Sequence, residues 1–144
     1  MSKLTMYKVQ NTIAVGATTG TSFSKPIRGK IVAIKLIYSN TTHSSSSDRD
    51  INIFEMNPED PLVVGDALQE ILNVGDLGAD PDADNAVYYP RTAAQDNAAA
   101  SLVYLSTDTA VVPTEYVVFG RVMLAITAAA AGDITTAYII VEEY

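Results

Sequence analysis

The stretch from Tyr116 to Tyr144, YVVFGRVMLAITAAAAGDITTAYIIVEEY, constrains what this chain can fold into more than any other. It holds two β-rich runs joined by small residues that end in Gly132-Asp133. In the first run Val122, Leu124 and Ile126 alternate with Met123 and Thr127, and Arg121 precedes them. The second, from Ile134 to Tyr144, is dense in β-branched and aromatic side chains. Strand-sized apolar runs bounded by Gly and Asp predict a hairpin buried on at least one face. Two strands alone are marginal in water, so the hairpin needs other strands to cover it.

Those strands are found upstream. Residues 4–18 predict one or two short strands with a bend at Gly16, and Pro26 marks a strand edge or end after Ser22. Arg28-Gly29 reads as a turn into the best strand of the front half, Lys30 to Ser39. Val32, Ile34, Leu36 and Tyr38 share one of its faces and Ile31, Ala33, Lys35 and Ile37 the other, as expected of a central strand. A polar, serine-rich loop spans Asn40 to Asp50, and Ile51 to Met56 resumes as a strand until Asn57-Pro58 breaks it. Asp66 to Asn73 is the one helix candidate. Asp66 can cap it, Gln69 completes a capping box, Gly75 stops it, and Leu68, Ile71 and Leu72 form its buried stripe.

An acidic loop, Gly75 to Asn85, precedes a strand at Ala86 to Thr92, with further strands at Ser101 to Leu105 and Val111 to Phe119. The expectation is an all-β fold: an antiparallel β-sandwich or jelly roll of about seven to nine strands with one short helix. At 144 residues it forms a single domain, residues 10–144, preceded by an N-terminal arm, residues 1–9.

Composition excludes several classes of function. The chain has no cysteine, so disulfides and thiolate metal sites are out of reach. Seventeen acidic against nine basic side chains give a net charge of −8, which repels phosphate backbones and argues against direct nucleic-acid binding. Lys25, Arg28, Lys30 and Lys35 are the densest basic group; they form either a solvated edge or a docking patch for an acidic partner. The opening residues lack the continuous apolar segment of a secretory signal, and the longest apolar stretch is too short to span a bilayer. The chain therefore reads as soluble, with no membrane partner.

Candidate sites are few. Asp80, Asp82 and Asp84 stand at alternate positions like the oxygen-rich start of a calcium loop. Asn85 replaces the turn glycine and Arg91 the bidentate glutamate, so a solvated acidic loop is the plainer reading. His43, the only histidine, lies among serines that cannot hold a catalytic geometry. No phosphate cradle, nucleophile elbow or histidine metal pair occurs, so the expectation is a non-enzyme without catalytic residues or cofactor. Tyr88-Tyr89-Pro90-Arg91 is the most distinctive short motif. Alternation sends one tyrosine inward and the other outward, and an exposed tyrosine beside arginine is a composition favoured at interfaces.

The front strand Arg28-Gly29-Lys30-Ile31-Val32-Ala33, the YYPR strand with its alanine-rich loop, and the closing segment GRVMLAIT…GDITTAYIIVEEY together resemble small β-sandwich head decoration, or cement, proteins of tailed bacteriophages. The resemblance touches about half of the chain and is one of pattern, without a diagnostic motif; the serine insertion and the acidic loop have no counterpart in it. It implies a virion structural protein, made in the host cytoplasm, that binds the major capsid protein on the outside of the head. It also implies a homo-oligomer, with a trimer favoured. Leu4, Met6 and Tyr7 of the N-terminal arm, with Tyr89 and Arg91, are the expected partner-contacting residues. The rival expectations are a carbohydrate- or receptor-binding tail or surface module, and another capsid or tail subunit.

Overall fold

The computed structural model describes residues 3–40, 49–58, 62–74, 86–93 and 113–143. Its strands are β1 (Lys3–Thr12), β2 (Gly20–Phe23), β3 (Ile27–Asn40), β4 (Asp50–Met56), β5 (Ala67–Val74), β6 (Ala86–Tyr88), β7 (Thr92–Ala93), β8 (Pro113–Thr114), β9 (Val117–Gly120), β10 (Val122–Thr127) and β11 (Asp133–Glu143). The first sheet runs β1-β11-β3, with β6 and β9 lying one after the other along the far edge of β3. The second runs β2-β10-β4-β5, and β7 with β8 makes a small separate ribbon.

Every pairing is antiparallel, and the pairs nest: β1 with β11, β2 with β10, β3 with β9, β4 with β5. The chain thus runs out and back as one long ribbon. Rolling that ribbon brings β11 against β3 and β10 against β4, which closes the two sheets over a common core. This is an antiparallel β-sandwich, as expected from the spacing of strands and turns, with nested pairing of the jelly-roll kind. The described residues hold eleven strands, where about seven to nine were expected.

The nesting overturns the hairpin expected at Tyr116–Tyr144. β10 pairs with β2 and β4 in the second sheet, whereas β11 pairs with β1 and β3 in the first. Ala128 to Gly132 is therefore an arch between sheets, turned by the positive φ of Ala128 (53°) and Gly132 (83°). Both strands are central and each needs partners on two edges. Facing one another across the core buries Val122, Leu124, Ile126, Ile139 and Val141 together.

The expected helix at Asp66–Asn73 is also overturned. One 3-10 turn, Val64–Asp66, leads directly into β5, which pairs with β4 from Ala67 to Val74. The helical stripe would have buried Leu68, but Leu68 is exposed and Ile71 alone of the three is buried. Cross-strand hydrogen bonds from Asn52 to Glu70 (2.7 Å) and from Gln69 to Glu55 (2.6 Å) tie polar side chains to the sheet instead. Two register shifts let an irregular pattern pair with the regular β4, so tertiary pairing wins over local propensity.

Arg28-Gly29 is no turn either; it lies inside β3. Gly29 has φ 154° and sits where a Cβ would run into the Glu142 carbonyl oxygen of β11. Only glycine fits such a close approach of two backbones. Further along β3 an extra residue, Val32, separates the Ile31–Val141 pair from the Ala33–Ile140 pair. The bulge shifts the side-chain alternation by one. Ile27 and Ile31 face the core before it, and Ile34, Leu36 and Tyr38 after it. Residues 1–9, expected as a separate arm, are from Lys3 onward part of β1 and pair with β11 along their length. The strand expected at Ser101–Leu105 lies outside the described residues.

Candidate functional site

β11 is regular, so its side chains sort cleanly. Asp133, Thr135, Ala137, Ile139 and Val141 point into the core, and Thr136, Tyr138, Ile140 and Glu142 point to the outer face of the first sheet. The register then places neighbours on that outer face in rows. Leu4, Glu142, Lys30 and Val117 form one row; Met6, Ile140 and Ala33 the next; Lys8, Tyr138, Lys35 and Val87 the third. Leu4 (66% exposed) and Met6 (62%) stand largely in solvent on β1, the edge strand of the sheet. Met6, Lys35, Ile37 and Tyr138 line an open depression of about 340 Å³ between them.

Charge on this face runs against the rest of the molecule. The outward strand positions of β1, β11, β3, β6 and β9 carry Lys8, Arg28, Lys30 and Lys35 but only one carboxylate, Glu142. Four cations less one anion make a formal +3 on a chain of net −8. Lys30 is paired with Glu142 at 3.5 Å, and the Arg28 guanidinium lies 5.8 Å from the Phe119 ring centroid. The face thus joins apolar side chains in its middle to a cationic border.

The inner end of the same sheet holds an ionic clasp. Arg49, 1% exposed, reaches Asp133 through Nη2 at 3.2 Å, and Asp133 is fully buried. Arg49 Nη1 donates to the Ile134 carbonyl (3.0 Å) and to Thr135 Oγ1 (3.2 Å), while Nη2 also donates to the Ser39 carbonyl (3.4 Å). The second carboxylate oxygen of Asp133 accepts the Ala130 amide at 2.8 Å, which fixes the arch between β10 and β11. Burial pushes the Arg49 guanidinium down from its ordinary value, and the Asp133 charge opposes that fall. Sequence reasoning passed Arg49 over as part of a polar loop. Its one signal was position, an arginine directly before the alternating strand at Asp50–Met56.

The expected contact residues divide between faces. Leu4 and Met6 lie on the outer face of β1, but Tyr7 points to the opposite side and packs against the core. Its hydroxyl donates to Glu143, which also accepts from Thr5 Oγ1 at 3.0 Å. These bonds, the one from Tyr7 foremost, hold the Glu143 carboxyl below the ordinary range, and the bond to Glu143 raises the Tyr7 phenol. Tyr88 packs partly buried against the core, and Tyr89 is 66% exposed at the end of β6. Arg91 is exposed and donates to the Pro90 carbonyl at 2.7 Å and to the Val32 carbonyl of β3 at 3.4 Å. Leu4 and Met6 on β1, and Tyr89 and Arg91 beyond β6, thus mark the two borders of one sheet. The calcium candidate Asp80, Asp82 and Asp84, and His43, lie outside the described residues. Among the described residues no group of three or more His, Asp or Glu side chains is placed to hold a metal ion.

No protein-family model, curated protein or solved structure matches this chain.

Proposed function

We propose that this chain is a structural protein of a virus particle that decorates or cements the outside of a tailed-phage head by binding the major capsid protein. The observation that carries the proposal is the outer face of the first sheet, where Leu4, Met6 and Tyr138 are held among Lys8, Lys35 and Arg28. A rigid sheet presenting apolar side chains within a cationic border acts by contact. The jelly roll supports the same reading, since it is a scaffold used for capsid and lectin domains, although fold by itself does not set function. On this reading the chain performs no reaction, and many copies acting together strengthen weak individual contacts. Acidic charge over the remaining surface keeps free copies soluble before they reach the particle.

The test is co-sedimentation of the purified protein with undecorated heads. The expected result is saturable uptake at a fixed ratio of copies to capsid subunits, together with heads that rupture at higher temperature. Protein that stays in the supernatant at every concentration, and leaves head stability unchanged, rules the proposal out. Retention on a glycan array in its place would establish the carbohydrate-binding alternative.

A further inference from the structure

We infer that Met6 is a modification site, oxidised by peroxide selectively and reversibly, and that its sulfoxide weakens docking by the outer face of the first sheet. The second half of the inference rests on reading that face as a docking surface. The chain has no cysteine, so no thiol competes for a two-electron oxidant and the four methionine thioethers take its place. The fold sorts those methionines. Met6 is 62% exposed, whereas Met56 is sealed and Met123 is 2% exposed; Met1 lies outside the described residues. β1 pairs with β11 from Lys3 to Thr12 without a register shift, so the Met6 side chain meets solvent in the folded protein. Met56 and Met123 meet it only when the sandwich opens.

The reaction is a single oxygen transfer. A sulfur lone pair attacks one oxygen of hydrogen peroxide, and the O–O bond breaks as the S–O bond forms. The transferred oxygen gives its proton to the departing hydroxide, which leaves as water. Sulfur loses two electrons and the peroxide gains them. The product is a polar sulfoxide, which a sulfoxide reductase with a thiol donor returns to the thioether. Its position gives this oxygen a consequence. Met6 stands beside Ile140 across the β1–β11 ladder and lines the open depression with Lys35, Ile37 and Tyr138. Ile37 and Tyr138 are half-buried, so Met6 is the apolar side chain there that a partner meets first. Once oxidised, it presents a strong acceptor that an apolar partner surface must strip of water without replacing the lost hydrogen bonds.

Peroxide treatment of the folded full chain tests this. Trypsin cuts after Lys3 and Lys8, so mass spectrometry reads Met6 on the fragment 4–8, apart from Met1, Met56 and Met123. That fragment is expected to gain one oxygen about tenfold faster or more than those carrying Met56 and Met123, at an unchanged melting point. The oxidised chain then elutes earlier from a hydrophobic-interaction column, and its co-sedimentation with heads weakens by about tenfold. Sulfoxide reductase restores both. Met6→Leu keeps an apolar side chain without sulfur, so it docks as the wild type does both before and after peroxide. Met6→Gln brings a polar acceptor to the same place and docks weakly with no peroxide added.

A fragment 4–8 that oxidises no faster than the buried methionines overturns the modification site. Oxidised protein that docks undiminished overturns its effect on docking and leaves the decoration reading standing. Met6→Leu that loses docking on peroxide treatment, as the wild type does, overturns that effect as well. A reduced chain that ignores heads removes the decoration reading instead. Selective oxygen on the fragment 4–8, with earlier elution from the column, still supports the site in that case.

Discussion

Ile139 and Ile140 are neighbours on β11, and they live in different environments. Ile139 is fully buried between the sheets, whereas Ile140 lies on the outer face beside Met6. Along the strand the same division repeats. The inner row runs from the sealed Asp133 to Val141, and the outer row from Thr136 to Glu142. The inner row serves folding, and its substitutions are read in stability. The outer row keeps Tyr138 and Ile140 half-buried on an open face, so substitutions there are expected to cost less stability. Both rows are about equally apolar, which is why the contrast is invisible to composition and plain in three dimensions.

The strongest test of this contrast lies at the inner end. Arg49→Ala leaves the Asp133 carboxylate buried without its counter-charge, which costs about 3–5 kcal/mol. Urea unfolding is the measurement, and a loss under about 1 kcal/mol would show that the clasp contributes little. Adding Asp133→Asn to Arg49→Ala removes the orphaned charge, so the pair is expected to be more stable than Arg49→Ala alone. Next in size is the direct comparison on β11. Ile139→Ala opens a cavity in a sealed core and costs about 2–5 kcal/mol. Ile140→Ala, one residue on, is expected to cost about 1 kcal/mol or less, because its site can relax toward solvent. Equal losses at the two positions would mean that the outer face is covered within the monomer.

Smaller still is the effect of Met6, an exposed side chain lining the depression. Met6→Ser removes an apolar group that stands largely in water, so stability changes by about 0.5 kcal/mol or less. Under the proposed docking role its larger effect is expected in co-sedimentation with heads. If Met6→Ser leaves co-sedimentation unchanged and lowers the melting point instead, then Met6 belongs with the inner row.

How much of this was legible beforehand differs by strand. β3 and β4 were read close to their true limits because Ile34, Leu36, Ile51 and Ile53 alternate over long runs. β5 was read as a helix because Asp66, Gln69 and Gly75 imitate helix punctuation, and nothing local announces that β4 will pair with it. The supposed terminal hairpin failed for a related reason. Local sequence shows that β10 and β11 are strands joined by a turn, yet whether two such strands pair side by side or stack face to face is decided by β2, β4, β1 and β3. The bulge at Val32 left no mark in the apolar pattern, since both faces of β3 are apolar. For the candidate face, Leu4 and Met6 are legible in the sequence only as apolar residues of an expected arm. Their placement on one face with Lys8 and Lys35 required the register. The clasp escaped because a buried arginine cannot be told from a loop arginine without its partner, Asp133, more than eighty residues away.

The smallest effect concerns the edge of the first sheet, where β1 belongs to both rows at once. Tyr7 and Thr5 on its inner side hold Glu143, while Leu4 and Met6 look outward. The Glu143 carboxyl titrates below its ordinary value of about 4.5, so in acid the unfolded chain takes up this proton before the folded one does. The bond therefore contributes stability above the ordinary value, and that contribution is lost as pH falls through the lowered one. The Tyr7 phenol is raised above about 10, so its contribution has the opposite sign in alkali. It is present below that value and is lost as pH rises through the raised one. Tyr7→Phe removes the phenol and the principal cause of the Glu143 shift. Its melting temperature is expected to fall less steeply than that of the wild type below about pH 4.5 and above about pH 10. Between these limits the two proteins differ by a small constant amount, because Thr5 still donates to Glu143. Identical slopes for Tyr7→Phe and wild type in acid would place the β1 edge among surfaces whose hydrogen bonds exchange freely with water. Leu4 and Met6 would then stand on a strand held by its backbone pairing with β11 alone.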